Sequence, residues 1–232
     1  MVTALYSQIP MHHVRSTLNS YTATTRLNII NDWRYDNLQQ PYHQFETLYK
    51  HAKFAQIELN QLIKKAALRT DCHAILPTHK SRIRAQQKIM TELNGNANAL
   101  TDLARGSIIA SNIDDLISAY DYLIQYTDVS GVKNRFSRPT ASGYRDIKLL
   151  IRLPNSHFIV EIQLHLKKIA SIKNGAEHSI YEQIQKIERQ AVIESRLLHE
   201  LEQRKIQKLR QHSQHLYHRV WQHYMGNNRL AS

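Results

Sequence analysis

A carboxylate and an amide stand two residues apart in a short segment whose neighbouring side chains are apolar. Glu161 and Gln163 alternate there with Val160 and Ile162. Because successive side chains of a strand point to opposite faces, one face would join the core and the other would present Glu161 and Gln163 to a cleft. A carboxylate in a cleft can bind a metal ion or act on a proton. Tyr144, which follows a glycine turn upstream, could contact a substrate beside them.

Three basic residues recur at intervals of four earlier in the chain, at Lys80, Arg84 and Lys88. This spacing places them on one face of a predicted helix, where like charges repel one another. The repulsion falls if an anion such as a triphosphate lies among them. On its own, however, the segment is more typical of a solvated basic helix face.

A strand followed by a helix is predicted after the basic segment. Residues 100–110 favour a strand with Asp102 near its start. Residues 111–114 have the pattern of a capping box with aspartate in place of glutamate, and a helical apolar stripe begins at Ile113. Asp102 is a second candidate carboxylate.

A basic loop and a hairpin come next. Residues 133–143 contain lysine, arginine, proline and glycine, which favours a loop. Residues 146–153 and 157–166 predict two antiparallel strands joined by a turn at 154–156. Loop and hairpin together would form a wall that faces an anion.

These segments together resemble the synthetase domain of the RelA/SpoT family, the pyrophosphokinases that move the β,γ-diphosphate of ATP to a ribose 3′-hydroxyl. The resemblance covers about residues 77–186 and keeps the order and approximate spacing of the family's motifs. It implies that Lys80, Arg84 and Lys88 bind ATP. It also implies that Asp102 binds a metal ion.

The resemblance extends to the family's acceptor loop, whose tyrosine stacks on the acceptor base, and to its Glu-x-Gln strand. Glu161 is the implied second catalytic carboxylate. The implied acceptor-binding residues are Tyr144, Lys133, Arg135, Lys148, Gln163 and His178.

Transfer of a diphosphate needs a metal ion to neutralise phosphate oxygens, cations to hold the triphosphate and a group that orients the attacking hydroxyl. Asp102 is the candidate Mg²⁺ ligand. Glu161 either shares the metal or acts on the 3′-hydroxyl, and the low pKa of a carboxylate beside a metal favours ligation. Tyr144 would contribute a stacking platform of about 1–3 kcal/mol.

The sequence departs from the family pattern at three positions. Members that use GDP or GTP commonly have a basic residue after the loop proline and a histidine four residues beyond the tyrosine, where this chain has Thr140 and Lys148. The arginine that follows Glu-x-Gln-x is replaced by His165. A missing cation weakens the case for a guanosine polyphosphate, although Arg138 or Lys148 could compensate. The acceptor is therefore GDP or GTP, the tRNA 3′ end or an adenosine nucleotide.

The predicted fold class is α/β (α+β), a mixed β-sheet flanked by helices. Glycine and proline number 6 and 5 in 232 residues, which favours a helix-rich chain over a sandwich with many tight turns. The resemblance adds a nucleotidyltransferase-like synthetase core. We expect an N-terminal helical region over residues 1–75, the core over 76–175 and a basic helical extension over 176–232. Apolar residues at helical spacing after Pro41 predict a long helix in the first region, after one or two short helices.

The C-terminal extension has the strongest charge asymmetry in the chain. Residues 176–224 lack proline and glycine and predict one long helix or two joined helices, and residues 203–232 contain six Lys or Arg and no acid. This tail could bind tRNA, pair with a second copy of the chain, pack back on the core or remain solvated. Its four histidines, at 212, 215, 218 and 223, are more typical of a solvated face than of a metal site.

Composition limits the remaining classes. The formal charge of +12 suggests polyanionic ligands, and the single cysteine, Cys72, excludes an internal disulfide framework. No apolar run is long enough for a signal peptide or a membrane span, so we expect a cytoplasmic protein without a membrane partner. A different class of function, a non-catalytic RNA-binding protein on a degenerate synthetase scaffold, would explain the basic tail but not the two carboxylates.

Overall fold

A six-stranded mixed sheet forms the centre of the computed structural model, which describes residues 22–227. The strand order is β1-β4-β5-β6-β3-β2, with β3 and β6 parallel and every other pair antiparallel. The strands are β1 (Trp33–Arg34), β2 (His73–Ile75), β3 (Arg105–Ala110), β4 (Asp128–Asn134), β5 (Ile147–Arg152) and β6 (Ile159–Leu166).

Seven α-helices surround the sheet within the described range. They are α1 (Ala23–Ile29), α2 (Phe45–Arg69), α3 (Arg82–Glu92), α4 (Ile113–Tyr126), α5 (Lys167–Asn174), α6 (His178–Ile193) and α7 (Glu200–Asn227), with a 3₁₀ turn at Ala97–Ala99. The predicted fold class, a mixed sheet flanked by helices, is confirmed. None of these helices combines the length and apolar character needed to cross a membrane.

Apolar periodicity predicted the main packing elements correctly. The helix expected after Pro41 is α2, which buries Leu48, Ala52 and Leu59 completely. The expected hairpin is β5–β6, and Val160 and Ile162 lie in the core as the alternation requires. In the N-terminal region α1 matches one expected short helix, and residues 1–21 lie outside the described range.

Two predicted boundaries were wrong. The strand expected over residues 100–110 begins only at Arg105, because the chain turns at Asp102 and buries Leu103 and Ala104 in succession instead of alternating their faces. The cap of α4 is also one residue later than expected. Asn112 accepts a hydrogen bond from the Asp115 backbone at 2.8 Å, so the capping pair is not the one predicted at residues 111 and 114.

The strands β1, β2 and β4 were not predicted from the sequence. The strand β4 contains Lys133 and Asn134, which were assigned to a loop. Its register shifts between Val129 and Gly131, which breaks the alternation that identifies a strand from sequence. The correction matters for function because it places Lys133 in the sheet.

The C-terminal extension forms two helices, and α7 packs back on the core. Ile206 of α7 joins Ile180 and Ile184 of α6 in a small apolar cluster. Farther along α7, Tyr217 and Tyr224 enter the main core. One face of this basic helix is therefore committed to packing within the chain.

Two glycines provide a test of this packing. Gly143 and Gly95 both have positive φ, +81° and +79°, but a Cβ at Gly143 would lie 3.1 Å from the Gln214 Cα of α7, whereas nothing lies within 4 Å at Gly95. We expect Gly95→Ala to lower the free energy of unfolding by about 1 kcal/mol, from backbone strain alone. Gly143→Ala should cost at least about 1 kcal/mol more, because α7 must also shift. Denaturant unfolding measures both, and equal losses would contradict the docking of α7.

Candidate active site

Asp102 lies in the turn before β3 and receives two lysines on one oxygen. Lys80 Nζ and Lys88 Nζ donate to its Oδ2 at 2.6 and 2.9 Å. Burial opposes ionisation of this carboxyl, yet the two ammonium groups outweigh it and lower the pKa of Asp102. The carboxylate is therefore charged at neutral pH. Two of the three predicted ATP-binding residues meet the predicted metal ligand.

The prediction that Lys80, Arg84 and Lys88 share one helix face was wrong for Lys80. Because α3 begins at Arg82, Lys80 precedes the helix and reaches Asp102 from a loop. The backbone N–H of Lys80 donates to the Leu103 carbonyl at 2.8 Å. Only Arg84 and Lys88 share a helix face. The Arg84 side chain is exposed, and among the described residues the contacts to Asp102 come from the two lysines.

The other oxygen of Asp102 is available to a cation. Asp102 Oδ1 is buried and has no hydrogen-bond partner among residues 22–227. An unpaired buried carboxylate oxygen is costly unless an ion or a water molecule satisfies it. In the same range no three acidic, histidine or cysteine side chains form a metal cluster. The residues present fit Mg²⁺, which takes one or two carboxylates and completes its coordination with phosphates and water.

Glu161 lies beside the Asp102 turn because β6 runs parallel to β3. It is paired with Arg105, the first residue of β3, and its backbone N–H donates to the Ala104 carbonyl at 3.2 Å. Burial lowers the pKa of both Lys80 and Lys173, and the positive charge of Arg105 lowers each further. The charge of Arg105 therefore acts on Lys80, which contacts Asp102, and on Lys173, whose pKa the charge of Glu161 raises.

The predicted acceptor residues Lys133, Lys148 and Gln163 form a row across three strands. Lys133 is paired with Lys148 in the β4–β5 register, and Lys148 with Gln163 in the β5–β6 register. Residues paired in this way point to the same face of a sheet. Glu161 stands at the end of the row, 3.4 Å from Lys148 Nζ, and accepts a hydrogen bond from Gln163 Nε2 at 2.8 Å.

Tyr144 is held by a buried polar network. Its hydroxyl donates to Asp146 Oδ2 at 2.8 Å and lies 3.2 Å from His165 Nδ1. Arg135 Nη1 donates to the other Asp146 oxygen at 2.6 Å. Burial raises the pKa of Tyr144, and burial together with the charges of Lys173 and Arg135 holds the pKa of His165 well below its usual range. The tyrosine and the histidine are therefore neutral at physiological pH.

The ring of Tyr144 has charged and aromatic neighbours. Lys173 Nζ lies 5.3 Å from its centroid and the Arg135 guanidinium 6.0 Å. Tyr217 of α7 meets it edge-on at 5.7 Å. Stacking of an acceptor base on this half-buried ring remains a prediction, and the position of the ring is set from several sides.

His178 is the one predicted acceptor residue that the structure leaves apart from this group. It begins α6, is largely exposed, and its Nε2 lies 3.2 Å from Glu182 on the same helix. Within the described part of the chain no hydrogen bond or ion pair joins it to Tyr144 or Gln163.

Several site residues were missed. His165 follows Glu161 and Gln163 at the same two-residue interval, so strand alternation could have placed it on their face. Asp146 was identified only as the first residue of a predicted strand. Lys173 carried no signal that distinguishes it from Lys167 or any other surface lysine.

The contacts of α7 with the acceptor loop were also missed. Gln214 Nε2 donates to the Ala141 carbonyl at 2.8 Å. Trp221 packs 5.4 Å from Phe136, and the Arg145 guanidinium lies 5.3 Å from the Trp221 ring. The basic C-terminal helix therefore supports the loop that carries Tyr144.

Neither a protein-family model nor a curated protein matches the sequence. Solved structures do match. A structure of the Type VI effector Tas1 with its immunity protein has a TM-score of 0.57 at 20% identity, over 77% of this chain and 96% of the matched chain. The small alarmone synthetase 1 from Bacillus subtilis, bound to its product pppGpp, has a TM-score of 0.52 at 16% identity over 77% of this chain and 95% of that one.

A GTP pyrophosphokinase family protein from Streptococcus pneumoniae has a TM-score of 0.54 at 15% identity, over 80% of this chain and 95% of that protein. These similarities cover about four fifths of this chain and nearly all of each compared chain. The chain therefore has the RelA/SpoT-like fold of the small alarmone synthetases.

Proposed function

We propose that this protein is an ATP-dependent pyrophosphokinase that transfers the β,γ-diphosphate of ATP to the 3′-hydroxyl of a nucleotide. The observation that carries the proposal is the placement of the Asp102 turn next to Glu161 at the start of the parallel β3–β6 pair. There the Glu161 backbone N–H donates to the Ala104 carbonyl, and each of the two carboxylates contacts lysine. A non-catalytic scaffold gives no reason for two buried carboxylates with cations around them.

The donor side is the Asp102 cluster. Lys80 and Lys88 would exchange part of their contact with Asp102 for the phosphates of ATP, and the exposed Arg84 would meet the triphosphate from solvent. Asp102 Oδ1 would hold Mg²⁺ together with Glu161. The bound ion would supply charge neutralisation on the triphosphate oxygens.

The acceptor side is the Lys133–Lys148–Gln163 row with Tyr144. Cations in this row suit the 5′-phosphates of GDP or GTP and offset the threonine at position 140. In transfer, the acceptor 3′-oxygen bonds to the β-phosphorus, the bond from that phosphorus to the α-phosphate oxygen breaks, and AMP leaves. The hydroxyl proton passes to solvent or to Glu161. The products from GDP and GTP would be ppGpp and pppGpp.

A toxin-like choice of acceptor is the second candidate. Its support is the TM-score of 0.57 to the effector Tas1, which is comparable to those of the alarmone synthetases. The acceptor would then be the tRNA 3′ end or an adenosine nucleotide. One face of α7 packs on the rest of the chain. Its opposite, basic face would remain available to tRNA or to a second copy of the chain. A reducing cytoplasm is the proposed compartment, in keeping with the single free cysteine.

Labelled ATP identifies the acceptor. The protein is incubated with γ-³²P-ATP and Mg²⁺ and, separately, with GDP, GTP, AMP, ATP or deacylated tRNA. We expect label to move to GDP or GTP, because these carry the 5′-phosphates that the lysine row would bind. Label on tRNA or on an adenosine nucleotide alone would favour the toxin-like candidate, and label on none would refute the transferase.

Glu161→Gln tests the carboxylate at the reaction centre. The substitution keeps the size of the side chain but removes its charge, so we expect kcat to fall about a thousandfold. The control is Glu182→Gln, which changes an exposed carboxylate on α6. Initial rates and thermal unfolding of both variants decide the case, and near-normal turnover by Glu161→Gln would exclude its assigned role.

Tyr144 can be tested in two steps that separate its ring from its hydroxyl. Tyr144→Ala removes the stacking surface, worth about 1–3 kcal/mol, and should raise the acceptor KM about tenfold or more while the KM for ATP stays unchanged. Tyr144→Phe keeps the ring and loses only the bonds to Asp146 and His165. We expect it to retain most of the acceptor affinity. If the two variants behave alike, the hydroxyl network and not stacking governs acceptor binding.

A further inference from the structure

Lys173 is a charged group in the site that the proposed function does not use. It lies near the end of α5, and its Nζ donates to Gln163 Oε1 at 2.9 Å. The same ammonium is 5.3 Å from the centroid of the Tyr144 ring. One side chain therefore contacts two of the predicted acceptor-binding residues.

The chemistry of these contacts fixes the orientation of an amide. An ammonium group can only donate hydrogen bonds, so Gln163 must turn its oxygen towards Lys173. Its NH₂ group then faces Glu161 Oε1 at 2.8 Å, and a carboxylate can only accept. Without Lys173 the Gln163 oxygen would lose its donor, and the bond to Glu161 alone would hold the amide.

The environment of Lys173 does not suggest a purely stabilising role. Burial lowers the pKa of this ammonium, while the charges of Asp146 and Glu161 raise it. Its hydrogen bond goes to a neutral amide, so the charge is only partly compensated. Burial of a cation in such surroundings costs folding free energy. A group retained at that cost is expected to serve the site.

We propose that Lys173 is a positioning residue of the acceptor subsite, which holds the Gln163 amide towards Glu161 and stands beside the Tyr144 ring. The inference rests on the proposed pyrophosphokinase function and adds a residue to it. Lys173 acts through Gln163 and Tyr144, both on the acceptor side, and it makes no hydrogen bond to the Asp102 cluster in residues 22–227. Its loss should therefore affect the acceptor and leave ATP binding unchanged.

The test compares Lys173→Met with Lys173→Arg. The matched control is Lys167→Met, an exposed lysine on the same helix. We expect Lys173→Met to raise the acceptor KM about tenfold, with the KM for ATP changed by less than about twofold. Lys173→Arg keeps a positive donor and should recover a large part of the loss. Lys167→Met should match the unmodified protein.

A double-mutant cycle tests the route through Gln163. If Lys173 acts by orienting this amide, Lys173→Met should have a much smaller effect in a Gln163→Leu background than alone. Additive effects would overturn that route. Thermal unfolding separates positioning from support of the fold, because positioning predicts an unchanged or higher midpoint for Lys173→Met.

Calorimetric titration of the acceptor that takes label gives a second measure of binding. Failure of the unmodified protein to transfer label to any acceptor refutes the proposed function itself. Transfer by the unmodified protein with a normal acceptor KM in Lys173→Met overturns only the inference. An equal rise in both KM values, or no recovery with Lys173→Arg, overturns it as well.

Discussion

The parallel pairing of β3 with β6 is the constraint on which the candidate site depends. Antiparallel neighbours can be joined by a short turn, but a parallel pair needs a long connection, and here α4, β4 and β5 lie between the two strands in sequence. Their alignment brings the turn that carries Asp102 next to Glu161 across 59 residues of sequence, from 102 to 161. A slip of one residue would turn Glu161 into the core and Ile162 outward.

Charge is distributed around this pair in a way that folding alone would not favour. Asp102 contacts two lysines, Glu161 one and Asp146 an arginine. Within residues 22–227, Lys173 contacts an amide and a ring and forms no ion pair. The cations therefore outnumber the carboxylates they surround. Like charges that lie close together repel most strongly where burial reduces screening by water. A polyphosphate with its metal ion would relieve this repulsion, so the excess charge supports a nucleotide site.

Local pattern accounts for the parts of the structure that the sequence predicted. The β5–β6 hairpin and α2 have regular apolar periods and clear turn signals, and the motif order indicated which side chains share the site. The missed parts depend on distant contacts. The strand β4 has an irregular register, Lys80 joins Asp102 from outside the helix, and α7 reaches the acceptor loop over about 70 residues of chain. None of these contacts leaves a periodic trace in the sequence.

The network beneath Tyr144 shows how such distant contacts could determine what the site accepts. Asp146 is fully buried and each of its oxygens has a donor, Arg135 on one and Tyr144 on the other. Removal of Arg135 would leave the buried carboxylate without its cation, which costs about 3–5 kcal/mol in comparable ion pairs. Removal of the Tyr144 hydroxyl would take away one neutral donor. The ring of Tyr144 is therefore fixed from below by Asp146 and from the side by Tyr217 of α7. Because the ring cannot adjust freely, an acceptor bound as proposed would have to fit a fixed ring, and selectivity would follow from rigidity as well as from charge.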